Sequence, residues 1–390
     1  MTTIQKKQIL SQINTLNLND LISLIDDGDI TLDEMITEGL SSDKIEGIRT
    51  HFKSKQQITV NQSEMISLCN QIEKGDFNVE KIKNLLISDK LTEADLLKYT
   101  SLNQDLIYKI QNFNKMSTDF RSWEDLPILE QNRTDLYFFG QPGSGKSCIL
   151  ASIFYYLREN GMIINDAHNP QGNIYRNQLT DEIHMGILPD STQRDGVNYI
   201  PMELRNYSDR SYKHPLNFIE MSGELFDEAY QSGINNNNLA AKNYLDNKNK
   251  KLIYFVLDYY MHEKRANSGG ASQSSKMEHI LSLLEQFGSL NNTDGIFIII
   301  SKSDLFPQGV DRNEFALDFL KTRYLNFYNN CKELQIKYGF EIKLYPYSIG
   351  VVKFQNLLID FNTIPPSEII QDVMNYTFVS KKSWINRFFK

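Results

Sequence analysis

The sequence predicts an α/β domain, a mainly parallel β-sheet flanked by helices, with an all-α domain on its N-terminal side. Three observations predict this. From Asp135 onward, buried apolar runs alternate with amphipathic stretches, the pattern of strands returning through crossover helices. The run "TDLYFFG" leads into Gly140–Ser147, which spells G-x-x-x-x-G-K-S, and "KSCILASIFYYLRENG" follows as a helix closed by Gly161. Residues 1–115 show helical periodicities only, separated by polar breaks.

At 390 residues the chain exceeds what one core usually serves. The expected division is 1–115 as a helical, repeat-like interaction module, 116–134 as a linker around Trp123 and Pro127, and 135–390 as the α/β domain. With 41% hydrophobic and 23% charged residues the composition is that of a globular protein. Its 49 acidic against 41 basic residues give a formal charge of -8, which argues against general nucleic-acid binding. Cys69, Cys148 and Cys331 are far apart and odd in number, with no metal or redox spacing, so they read as reduced thiols. No signal peptide or membrane-spanning run is visible, and a cytoplasmic location is expected.

In the N-terminal part, Leu21, Ile22, Leu24 and Ile25 precede Gly28, and Met35, Ile36, Leu40, Ile45 and Ile48 follow at helical spacings. Thr92, Asp95, Leu96, Leu97, Leu102, Asp105 and Ile110 echo Thr31, Glu34, Met35, Ile36, Leu40, Asp43 and Ile48, allowing one extra residue. "ISLCNQIEKGDF" echoes "ISLIDDGDI" in the same way, so a degenerate repeat of small helix-turn-helix units is expected. In the second part, a long polar region follows the Gly161 helix. "VNYIPMELRN" then reads as an edge strand, and "PLNFIEMSG", "KLIYFVLDYY" and "GIFIIISKSD" as buried strands. One amphipathic helix over "RNEFALDFLKTRYLNFYNNCKELQIKYG" leads to a last strand, "EIKLYPYSIG".

The chemistry begins at Gly140–Ser147, a P-loop. Its glycines let successive backbone N–H groups curl around phosphate oxygens, and the following helix adds its positive end. Gly140, Gly143, Ser144, Gly145, Lys146, Ser147 and Cys148 form the expected cradle, with Lys146 bridging the β and γ phosphates and the Ser147 hydroxyl on Mg²⁺. The fold class is therefore an α/β P-loop NTPase. The loop alone separates neither ATP from GTP nor an enzyme from a clamp.

Downstream segments carry a resemblance. In "PLNFIEMSGELF", Glu220 and Gly223 resemble the D-x-x-G motif of GTPases, with Glu, one methylene longer, in place of Asp. The resemblance implies that Glu220 holds magnesium through water, that the Gly223 N–H senses the γ-phosphate, and that Glu224 stands where a Gln orients the attacking water. Ser301-Lys302-Ser303-Asp304 resembles N/T-K-x-D, with Ser in place of Asn or Thr. It implies that the Lys302 stem packs on the base and that Asp304 accepts from the guanine N1–H and amino group, donors that adenine lacks as a pair. Ser348-Ile349-Gly350 resembles the S-A-K motif whose backbone meets the guanine oxygen. Thr180 and Thr192 are candidates for the switch threonine that meets Mg²⁺ and γ-phosphate; Thr192, just before the edge-like strand, is preferred, with Arg194 nearby as an internal arginine finger.

Taken in order, these segments resemble the translation-factor and Ras-like class of P-loop GTPases, with most similarity to bacterial double-GTPase type domains. The resemblance covers about residues 135–350 and leaves the helical module outside it. It implies a Mg²⁺-dependent switch that binds GTP, hydrolyses it slowly to GDP, and regulates a bacterial multi-protein conflict or defence system through a protein partner on the helical module. Homodimerisation across the nucleotide face is a further implication. The C-terminal "FVSKKSWINRFFK" alternates Lys381, Lys382, Arg387 and Lys390 with Trp384, Ile385, Phe388 and Phe389, a pattern open to membrane contact, a partner groove or packing on the domain. Two rival functions stay open on sequence alone: an ATPase of another P-loop class, and a nucleotide-holding adaptor without turnover.

Overall fold

The computed structural model describes residues 3–113, 125–189, 196–205, 213–223, 231, 239–260 and 273–377. The chain divides into two compact units, Met1–Gln111 and Asn112–Lys390. The segment read as a linker contributes its end to the second unit: Leu129 is buried in that core, and the Asn249 side chain donates to the Glu130 carbonyl at 2.7 Å.

The first unit is all helical: α1 Thr3–Ser11, α2 Leu18–Asp26, α3 Leu32–Thr37, α4 Ser42–Glu73, α5 Val79–Ile87, α6 Glu93–Tyr99 and α7 Gln104–Gln111. The echoing residues occupy equivalent local structure. Thr31 with Glu34 caps α3 and Thr92 with Asp95 caps α6, each as a reciprocal capping box that satisfies two orphan N–H groups. At the same interval upstream, Asn17 caps α2 and Asn78 caps α5 through side-chain oxygens. Gly28 and Asp89, again equivalent, both take positive φ, and the pairs Leu21/Ile82, Ile30/Leu91, Met35/Leu96, Leu40/Leu102 and Ile48/Ile110 are buried. One expectation is corrected. The region between the repeats is not short units but a single 32-residue helix, α4, because its polar residues offer no Pro or Gly to stop it after Gly47.

Among the described residues, the second unit is built on a seven-stranded sheet. Its strands are β1 Thr134–Gly140, β2 Ile163–Asn165, β3 Val197–Arg205, β4 Lys213–Met221, β5 Lys250–Asp258, β6 Thr293–Ser301 and β7 Glu341–Tyr347, in the order β2-β3-β4-β1-β5-β6-β7. β1 pairs in parallel with β4 and β5, and β6 with β5 and β7; β3 runs antiparallel to β2 and β4. Helices α8 Lys146–Glu159, α9 Pro170–His184, α10 Leu239–Leu245, α11 Gln273–Gln286, α12 Arg312–Arg323, α13 Leu325–Tyr338 and α14 Ile364–Thr377 complete it with the hairpin β8 Gly350–Lys353 and β9 Leu357–Phe361. Residues of α8, α9 and α14 form a core with Leu136, Phe138, Phe218 and Tyr254 on one face. Those of α11, α12 and α13 pack with Tyr137, Phe139, Phe255 and Ile298 on the other. Burial on both faces explains why β5 and β6 read as unbroken apolar runs.

This is the α/β P-loop NTPase class with an all-α N-terminal region, with four local corrections. The strand read as an edge, β3, is second from the edge, since the short β2 covers it. The polar region after Gly161 contains β2 and α9, whose polar faces masked its periodicity. The helix over 312–338 is two helices meeting at Tyr324. β7 is not the last strand, because β8, β9 and α14 follow. The C-terminal basic and aromatic residues after Thr377 lie outside the described residues, and no described helix is long and apolar enough to cross a membrane.

Near the N-terminal ends of the strands, the cross-strand neighbours Asp135 and Lys251 are both buried. Asp135 Oδ1 accepts from Asn217 Nδ2 at 2.7 Å and Asn249 Nδ2 at 3.0 Å, while Lys251 Nζ donates to the Asn249 carbonyl at 3.0 Å. Burial nonetheless pushes the Asp135 carboxyl up from 3.8 to about 6 and the Lys251 ammonium down from 10.5 to about 8. An acid with a raised folded-state pKa stabilises the fold fully below its unfolded value, and that contribution is lost as pH rises through the folded value. The stability difference between the wild type and Asp135→Asn, measured by urea denaturation, should therefore fall from about pH 4 to about pH 6. A difference constant over that window would contradict the buried, proton-hungry carboxylate.

Candidate functional site

The parallel register brings the motif residues to one end of the sheet, where ligands of open α/β sheets bind. β1 sets Phe138 beside Glu220 of β4 and Gly140 beside Val256 of β5. β6 sets Ser301 beside Tyr347 of β7, so the loops starting at Lys302 and Ser348 leave from adjacent strands.

Between β1 and α8 the chain makes a tight loop. Ser144 N–H donates to the Gln141 carbonyl at 3.1 Å, and Gly143 and Gly145 take φ of +74° and +91°. Because α8 begins at Lys146, the N–H groups of its first turn and the positive end of its dipole border the loop, an arrangement suited to an anion. Lys146 is buried and folds back over the loop, donating from Nζ to the Gly140 carbonyl at 2.8 Å and to that of Gln141 at 3.2 Å. The buried Ser144 hydroxyl has no hydrogen-bond partner here. Cys148, half-buried, donates from Sγ to the Pro189 carbonyl at 3.9 Å.

Glu220 is fully buried at the end of β4, where an unpaired carboxylate would be expensive. Ser147 Oγ donates to its Oε1 at 2.7 Å; Tyr175 OH of α9 and Asn198 Nδ2 of β3 donate to its Oε2 at 2.8 and 3.1 Å. Burial, with the Glu220 carboxylate beside it, raises the Tyr175 phenol well above its ordinary value, so it stays a donor across the working pH range. Three positions on, Gly223 abuts the P-loop: a Cβ there would lie 2.0 Å from the Pro142 nitrogen.

On the β6 side, Lys302 takes a left-handed conformation, φ +60°, that turns the chain sharply out of the strand. Its Nζ donates to Asp258 Oδ2 at 2.7 Å and to the P-loop carbonyl of Gly143 at 3.4 Å, which ties the S-K-S-D turn to the P-loop. Asp258 ends β5 and is buried. Asp304 is exposed in the short 3₁₀ turn Ser303–Leu305. Ser348 is buried, and its carbonyl and that of Ile349 accept from Asn362 at 3.3 and 2.9 Å. The same hairpin reaches back past the P-loop helix: Leu188 N–H donates to the Asn356 carbonyl at 2.7 Å and Leu358 N–H to that of Gly186 at 2.8 Å.

The structure thus brings together Gly140, Gly143, Ser144, Gly145, Lys146, Ser147, Cys148, Glu220, Gly223, Lys302, Asp304, Ser348 and Ile349 at one sheet end. Thr192, Arg194 and Glu224 lie outside the described residues. Thr180 is buried in α9, its hydroxyl donating to the Arg176 carbonyl at 2.7 Å, which uses it locally. Sequence reasoning missed Asp258, Tyr175 and Asn198. The first two had signals of unequal strength: a lone acid closing an apolar strand marks Asp258, while Tyr175 sits in a stretch with no clear period. Asn198 shares the strand face of Ile200 and Met202, which the alternation of β3 makes readable.

No protein-family model matches the sequence, and no curated protein matches it. Among solved structures, a dimerisation-deficient mutant of Toc33 from Arabidopsis thaliana aligns with 61% of this chain and 82% of its own at 11% identity, with a TM-score of 0.33. The GTPase-like domain of Ski7 from S. cerevisiae, bound to GTP, aligns with 49% of this chain and 40% of its own at 18% identity, with a TM-score of 0.29.

The contact at Pro142 leaves no room for a side chain at position 223, because the obstructing atoms are the backbone N and Cα of Pro142 and its ring Cδ, none of them the end of a flexible side chain. Gly223→Ala should cost about 1–3 kcal/mol of stability as the two loops are forced apart. Equilibrium urea denaturation measures this, and an unchanged midpoint would mean that the contact is not maintained in solution.

Proposed function

We propose that the second unit is a Mg²⁺-dependent, GTP-binding and GTP-hydrolysing switch. The observation that carries this reading is the reach of Lys302 Nζ to both Asp258 and the Gly143 carbonyl, which joins the S-K-S-D turn to the phosphate loop as one site. The cradle takes the phosphate chain, with the N–H groups of Gly143 through Cys148 around it. Lys146, released from its two carbonyls, exchanges them for phosphate oxygens, a stronger charge-assisted pairing. Asp304, exposed beside the Lys302 stem, is available to accept from a purine edge carrying two adjacent donors, which selects guanine. The Ser348-Ile349 loop, held by Asn362, lies on the adjacent strand end to close over the base.

The donor set suits Mg²⁺. A hydroxyl and a carboxylate stand 2.7 Å apart at the start of α8, both hard oxygens. Among the described residues no group of three or more His, Cys, Asp or Glu gathers to hold an ion, so the rest of its shell would come from phosphates and water. When bound, Mg²⁺ would neutralise developing phosphate charge. Thr192 and Glu224 are assigned, from the resemblance, to sensing the γ-phosphate and orienting water, and Gly223 to coupling that sensing to the P-loop through Pro142. We further assign the helical module to docking a protein partner in a bacterial multi-protein system.

Asp304→Asn exchanges an acceptor for a donor. Affinity should shift from GTP toward xanthosine triphosphate by about tenfold to a hundredfold each way, the worth of a hydrogen bond to a charged group. Equilibrium titration with both nucleotides measures it, and an unaltered preference would remove Asp304 from base recognition. Phosphate release from GTP by the purified protein, abolished in Lys146→Ala, tests turnover; equal release by both would refute it.

A further inference from the structure

Glutamate at position 220 brings one more rotatable bond than aspartate, so its carboxylate needs outside partners to stay in one place. α9 supplies one of them. The start of this helix is pressed on β3: Asn169 Nδ2 donates to the Tyr199 carbonyl at 2.6 Å, and a Cβ on Gly172 would stand 2.2 Å from that same carbonyl oxygen. Only a glycine permits so close an approach. One turn on, Tyr175 reaches Glu220 from the helix side, while Asn198 reaches it from the neighbouring strand, as its direct cross-strand partner. Both donate to Oε2, and Ser147 meets Oε1.

We propose that Tyr175 is a positioning residue for a phosphate-bound divalent cation: with Asn198 it pins Oε2 of Glu220 so that Oε1 stays beside the Ser147 hydroxyl. Tyr175 does not itself touch the ion. Its close seat on the strand, permitted by Gly172, is what makes a glutamate serviceable where its own torsions would let the carboxylate wander. This inference rests on the nucleotide-site reading above and concerns its metal half alone. Outer partners of metal-holding carboxylates typically contribute 10–100-fold in metal affinity.

The test is Tyr175→Phe, which keeps the ring and removes the hydroxyl. Dissociation of a fluorescent GDP analogue is followed while Mg²⁺ is titrated, with an ADP analogue as a second arm and thermal unfolding of the nucleotide-free protein alongside. The concentration of Mg²⁺ giving half-maximal retention should rise about tenfold or more, with retention in excess EDTA unchanged. In a Glu220→Asp background, whose carboxylate is set back from α9, adding Tyr175→Phe should cause no comparable rise. An unchanged Mg²⁺ midpoint, or a lowered unfolding temperature with no change in midpoint, would overturn the proposal and leave Tyr175 a packing residue. Retention of the ADP analogue alone would defeat the guanine reading while the Mg²⁺ comparison still decides the role of Tyr175. Retention of neither analogue by the wild type would overturn both.

Discussion

The hydrogen bond from Ser147 to the buried Glu220 carboxylate is the constraint on which the rest of the site depends. It needs the first residues of α8 and the end of β4 to meet, and they meet because β1 and β4 are parallel neighbours with Phe138 beside Glu220. A fully buried carboxylate is tolerated only with its lone pairs occupied, so the fold around it is built of donors: a hydroxyl from α8, a phenol from α9 and an amide from β3. Each donor fixes the placement of the element that carries it.

The other half of the site is fastened by different means. Lys302 uses a strained, left-handed backbone to bring its ammonium to Asp258 and the P-loop. The hairpin after β7 holds the Ser348-Ile349 carbonyls through Asn362 at one end and bonds to Gly186 and Leu188 at the other. Residues 186–188, just after α9, and the Ser348-Ile349 loop are therefore held by one hairpin.

Much of this was legible in the sequence. Gly140–Ser147 is recognisable because phosphate cradling demands glycines, a lysine and a hydroxyl at fixed spacing, and buried parallel strands announce themselves as apolar runs. The echo of Thr31 and Glu34 in Thr92 and Asp95 is visible in the sequence, and each pair forms a capping box. What escaped was tertiary. The helix α9 carries polar residues on faces that only the fold can cover, so Tyr175 and Gly172, with Asn169 at its cap, gave no periodic signal, and the pairing of Lys302 with Asp258 joins the turn after β6 to the end of β5. The length of α4 escaped because its polar residues break the apolar period without supplying a Pro or Gly that would end the helix.

The central claim is that the phosphate loop and the S-K-S-D turn form one guanine-nucleotide site. Competition of GDP and ADP for a bound fluorescent nucleotide tests it most directly. The account predicts that GDP displaces the probe at a far lower concentration than ADP. Preferential displacement by ADP would contradict it.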